Sequence, residues 1–96
     1  RETTMTPKRR ADVPRIAITV GDPAGIGPEI AIAASHSREV LAVCEPVLYG
    51  PHTPEAIEAF PAGVVSAAAG QAAYDAIVAA VRDAQAGLVQ GIATGP

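Results

Sequence analysis

The chain has 96 residues, enough for one small domain, which buries a smaller fraction of its surface than a larger one does. Hydrophobic residues make up 49% but aromatics only 3%, so the apolar content is mainly alanine, valine, leucine and isoleucine, the composition of helices packed on a buried sheet. A net charge of -3 gives no basic field for a nucleic-acid backbone, and the few aromatics give no base-stacking platform, so nucleic acid is not an expected partner.

Residues 1–14 are polar, carry Pro7 and Pro14, and read as a flexible lead-in whose basic cluster, Lys8, Arg9 and Arg10, is a solvated tail. Met5 would itself make a natural initiator. The β-rich apolar run at 16–20, bounded by Pro14 and Gly21, predicts a strand buried on both faces. A loop with three glycines and two prolines follows over 21–29. A helix is expected over 28–35, with Pro28 at a position where its missing N–H is harmless and Glu29 in the positive first turn.

Apolar stretches at 40–43 and 47–49 flank Glu45 and Pro46, and a second strand is expected at 46–49. Thr53 and Pro54 look like a helix start, with turns continuing to Phe60. Ser66 caps the longest predicted helix, 67–86, in which Ala73, Ile77, Val81 and Ala84 recur on one face. Gly87 suits the left-handed residue after a helix, and 88–93 forms a third strand ending at Thr94, Gly95 and Pro96. Strands alternating with helices imply an α/β fold with a mostly parallel sheet.

One cysteine, Cys44, makes no internal disulfide and reads as a small buried hydrophobe, which favours a reducing, cytoplasmic setting. No apolar run approaches the ~18 residues of a membrane span, so no membrane association is expected. His36 and His52 read as polar surface residues.

The 21–29 loop carries the chemical information. It lies between a strand and a helix, where free N–H groups and positive partial charge receive anions. Gly25 and Gly27 lack the third glycine of the Rossmann pattern, and no Lys-Ser or Lys-Thr follows for a P-loop. From composition alone a tight strand-to-helix turn explains the loop as well as a ligand does. Asp22 before a proline commonly makes a turn, and Glu29 commonly complements a helix dipole.

The string Ile18-Thr19-Val20-Gly21-Asp22-Pro23-Ala24-Gly25-Ile26-Gly27-Pro28-Glu29-Ile30 resembles the opening of the 4-hydroxythreonine-4-phosphate dehydrogenase family. A second block, from Val65 through Gly87 to Pro96, resembles that family's long helix and following strand. The resemblance covers most of 15–96, as the N-terminal part of one α/β dehydrogenase domain. Its linker between Gly50 and Ser66 is shorter than the family's, which suggests residues missing near 60–61.

The resemblance implies a three-layer αβα sandwich similar to the isocitrate and isopropylmalate dehydrogenases. It also implies an enzyme that uses NAD or NADP and a divalent metal (Zn, Mg or Co) to oxidise and decarboxylate a small phosphorylated substrate in vitamin B6 biosynthesis, as a homodimer. The family's metal ligands and catalytic residues fall beyond Pro96, so none is assigned to this chain, and the chain alone is expected to be inactive. The expected cofactor- or substrate-binding residues are Gly21, Asp22, Gly25, Gly27, Glu29, Thr94 and Gly95, brought together from adjacent strand ends. A dehydrogenase for erythronate or threonate 4-phosphate, and a non-catalytic nucleotide- or phosphate-binding module, are the alternatives.

Overall fold

The structure, a computed structural model, describes residues 13–96. The basic cluster Lys8, Arg9 and Arg10 and all but the last two residues of the lead-in lie outside the described residues. The fold is α/β with one all-parallel sheet of three strands, β1 (Arg15–Thr19) in the centre, β2 (Glu45–Tyr49) on one side and β3 (Gly91–Thr94) on the other. In register, Ile16 lies between Pro46 and Gly91, and Thr19 between Tyr49 and Thr94.

Four helices connect the strands: α1 (Gly27–Ser35), α2 (Arg38–Val43), α3 (Pro54–Glu58) and α4 (Ala67–Gln85). Alternation along β1 points Ala17 and Ile18 to opposite faces. Ala17 clusters with Ala80 of α4 and Val89, while Ile18 lines a groove with Ile30, Ala31 and Ala34 of α1, so helices cover both faces.

Helix ends follow the side chains that the sequence supplies. Thr53 accepts a hydrogen bond from the Ala56 N–H at 3.2 Å and Ser66 one from the Ala69 N–H at 3.0 Å, satisfying donors that a helix start leaves open. At the end of α4, Gly87 takes φ +81°, its N–H donates to the Ala84 carbonyl, and the Leu88 N–H donates to the Asp83 carbonyl. That pair of bonds is the Schellman arrangement, and it turns the chain toward β3.

The second strand forms where expected, over Glu45–Tyr49. The apolar stretch at 40–43 before it is helical in α2: Ser37 accepts from the Val40 N–H and Glu39 occupies the first turn, so local capping outweighs the β-branched residues. Pro46 does not interrupt β2 but sits inside it. The Glu45 N–H donates to the Pro14 carbonyl, so alternation places the Pro46 nitrogen on the outer edge, where no donor is needed.

One expectation, the buried face of α4, needs correction. Its buried residues are Ala69, Ala76 and Ala80, with Ala80 fully buried, whereas Ile77 and Val81 are exposed. Small side chains let the helix axis approach the sheet closely, and the larger Ile77–Val81 row is turned outward.

Candidate functional site

Parallel strands end at one edge of the sheet, and in open α/β sheets that edge is where ligands bind. The connection from β1 to α1 and the segment after β3 meet there directly: the Gly95 N–H donates to the Thr19 carbonyl at 2.8 Å, and the Asp22 N–H donates to the Pro96 carbonyl at 3.0 Å. The two groups of residues expected to share a crevice are therefore neighbours.

Most of the loop's polar main chain is already engaged. Asp22 Oδ1 accepts from the Ala24 N–H at 2.9 Å and the Asp22 carbonyl accepts from the Gly25 N–H at 3.0 Å, so Asp22 builds its own turn. The Gly63 N–H, from the connection between α3 and α4, donates to the Ala24 carbonyl at 2.8 Å. That second connection thus leans on the loop.

The glycines divide into two kinds. Gly21 is buried with φ +76°, and a side chain there would collide with the Pro96 carbonyl; one at Gly27, also buried, would collide with the Val20 carbonyl. Gly95 is similar, since its Cβ would lie 2.7 Å from the Thr19 carbonyl oxygen. These three are glycine because main chain meets main chain. Gly25 is exposed, and a Cβ there would meet nothing closer than the Asp22 carbonyl oxygen at 3.6 Å. The fold itself does not require glycine at that position.

Glu29 is exposed in the first turn of α1, and Thr94 is exposed at the end of β3. Between α1 and β3 runs a groove of about 210 Å³, with Gly27, Thr94 and Gly95 at its polar end and Ile18, Ile30 and Ala34 along it. It suits apolar groups better than phosphate, since none of its lining side chains is charged.

Among the described residues no group of three or more His, Cys, Asp or Glu is placed to hold a metal. His36 is exposed at the C-terminal end of α1, and Cys44 is buried after α2. His52, expected on the surface, is half-buried, with Nδ1 2.7 Å from the Gly50 carbonyl oxygen. Sequence reasoning offers no signal for that contact, because it depends on the turn after β2. It also misses Thr19, fully buried on the central strand, whose hydroxyl has no hydrogen-bond partner.

No family model matches the chain, and no solved structure matches it significantly. Curated proteins do. The 4-hydroxythreonine-4-phosphate dehydrogenase of Beijerinckia indica is 36% identical over 115 residues, covering 84% of this chain and 34% of the relative. A protein of Symbiobacterium thermophilum, provisionally named D-threonate 4-phosphate dehydrogenase, is 57% identical over 37 residues, covering 38% of this chain and 11% of the relative. The 4-hydroxythreonine-4-phosphate dehydrogenase of Trichlorobacter lovleyi is 49% identical over 37 residues, 38% of this chain and 11% of its own length.

The chain thus spans about a third or less of these relatives. The Beijerinckia alignment, at 115 residues, is longer than the 96-residue chain, so the relative carries residues inside the matched stretch that this chain lacks. With the loop, the long helix and the strand after it placed as described, the chain is a partial homologue of the proteins named 4-hydroxythreonine-4-phosphate dehydrogenase and, provisionally, D-threonate 4-phosphate dehydrogenase.

Proposed function

We propose that the chain is part of a cytoplasmic, homodimeric dehydrogenase that oxidises and decarboxylates 4-hydroxythreonine 4-phosphate with NAD or NADP in vitamin B6 biosynthesis. The 36% identity over 84% of the chain supports this reading. The observation that carries the site is Gly25, an exposed glycine in the β1–α1 loop whose missing side chain the fold does not demand. A ligand approaching the main chain at that point does demand it. Glu29 and Thr94, both exposed at the same edge of the sheet, would flank the ligand, and Asp22 would hold the turn in shape.

A nicotinamide held at the strand-end edge near Gly25 and Thr94 would supply the acceptor for a hydride leaving the substrate alcohol. The described residues provide no site for a divalent metal, so no step is assigned to one. The three-strand sheet would be part of the wider αβα sandwich of the isocitrate and isopropylmalate dehydrogenases. No described helix is long and apolar enough to cross a membrane.

A second reading, oxidation of a four-carbon sugar-acid phosphate, is favoured by the 57% identity of the Symbiobacterium protein over its 37 matched residues. The test is NADH formation with 4-hydroxythreonine 4-phosphate and with threonate 4-phosphate, measured for the 96-residue chain and for a polypeptide of the relatives' full length. Turnover is expected from the longer protein and none from the chain. Gly25→Val should weaken ligand binding without lowering thermal stability. Tight binding of either phosphate with no NADH from the longer protein would leave a binding module and remove the enzyme.

A further inference from the structure

Helix α4 has a second face. Ala69, Ala76 and Ala80 are buried toward the sheet, while Tyr74, Ile77 and Val81 point outward and Leu88 continues them just past the helix end. All four are exposed, Tyr74 by 63%. The spacings of three and four residues from Tyr74 to Ile77 to Val81 are those with which one helix presents a seam to another. Beside the seam lies an open groove of about 320 Å³, lined by Ile77, Val78, Val81, Arg82 and Gln85. A cluster of exposed apolar side chains rimmed by polar ones marks an interface.

The charges at the rim identify the partner. Asp75 and Arg82 are both exposed and seven residues apart, so they stand on one flank of α4, about 10 Å from each other along its axis. Neither has an opposite charge within reach on its own helix. The positions three and four residues from Arg82 are Val78, Ala79, Gln85 and Ala86, and those around Asp75 are Gln71, Ala72, Val78 and Ala79. Gln71 Nε2 donates to Asp75 Oδ1 at 2.8 Å, but neither charge joins an ion pair among the described residues.

A twofold axis perpendicular to α4, passing beside Val78 and Ala79, lays a second α4 antiparallel on the first and keeps both charged flanks on the same side. Each Arg82 then faces the Asp75 of the other copy. A parallel pairing would separate the flanks and leave all four charges unmatched.

We propose that the outward face of α4 is a self-association surface, on which a second copy of this chain docks antiparallel with Arg82 opposite Asp75 in both directions. Such a contact is isologous, as in most homodimers. It gives the homodimer of the proposed enzyme a definite face, and it stands on the seam and its charges, independently of the dehydrogenase reading. One helix face is smaller than a standard interface, so the dimer is expected at high protein concentration and the monomer at low.

Sedimentation velocity of the 96-residue chain over a wide concentration range tests this. The unaltered chain should pass from monomer to dimer. Arg82→Asp and Asp75→Arg each turn two attractions into two repulsions and should each weaken association by about tenfold. The double variant restores opposite charges and should recover it. Circular dichroism should be the same for all of these proteins, since both side chains are exposed. A chain that stays monomeric at every concentration would overturn the proposal and leave the face to another part of a longer polypeptide. A dimer indifferent to the reversals would also overturn it, placing the contact elsewhere, and a double variant as weak as the single ones would rule out the antiparallel register. None of these outcomes changes the NADH assay, so the dehydrogenase reading stands or falls separately.

Discussion

The Tyr49 hydroxyl donates a 2.6 Å hydrogen bond to Asp83 Oδ2, tying the last residue of β2 to the final turns of α4. Burial first, then the bond to Asp83 and the charge of that carboxylate, push the Tyr49 phenol up from 10.0 to about 12, against a smaller opposing effect of Arg15. The folded state therefore favours the neutral phenol. Its contribution to stability is complete below pH 10 and is lost as the pH rises toward about 12. Tyr49→Phe should cost about 1 kcal/mol at neutral pH and should flatten that alkaline decline. Urea unfolding of both proteins at neutral pH and again above pH 10 checks it, and an identical alkaline slope in the variant would discount the hydrogen bond.

Thr19 presents the opposite case, a fully buried hydroxyl without a partner. An unmade hydrogen bond costs more than an absent polar group. Thr19→Val, similar in shape, should therefore raise the unfolding free energy by about 1 kcal/mol, read as a higher denaturant midpoint with an unchanged slope. A lower midpoint would mean that the hydroxyl is engaged in solution.

The glycines allow a graded comparison. Gly27→Ala drives a methyl into the Val20 carbonyl and should lower stability by several kcal/mol, since main chain on both sides must move. Gly70→Ala, on the exposed side of α4 with nothing within 4 Å of the new methyl, should instead gain about 0.5–1 kcal/mol from helix propensity. Thermal melts of the pair should shift in opposite directions.

On α4, Ala80→Leu puts three carbons where the helix touches Ala17 and should cost about 1–3 kcal/mol or more. Ile77→Ser, on the outward row, should change stability by less than about 1 kcal/mol. A reversed order of these two melting temperatures would restore the Ile77–Val81 face as the core.

Much of this fold can be read directly from residue order. Thr53 and Ser66 mark helix starts, and Gly87 marks the end of α4, because capping acts within four residues of the chain. What escapes such reading depends on distant partners. The apolar row at Ile77 and Val81 looks more hydrophobic than the alanines beside it, yet close approach to Ala17 favours the smaller side chains. The β-branched stretch at 40–43 becomes helical because Ser37 caps it. In the loop, the density of glycine is plain from the letters. Which glycines are needed by the protein itself is settled only by carbonyls from Val20 and from Pro96, at the other end of the sequence.

The central place of β1 has a consequence for how the chain forms. Its neighbours begin at Glu45 and Gly91, so the strand that organises the sheet is made first and completed last. At ribosomal rates of about 5–20 residues per second, one flank of β1 stays unpaired for on the order of seconds. Pairings between residues so far apart in sequence also form slowly. During that interval the aliphatic residues Ile16 and Ile18 have no strand beside them on one side, so an unpaired edge of this stretch is open to wrong pairing until Gly91–Thr94 arrives.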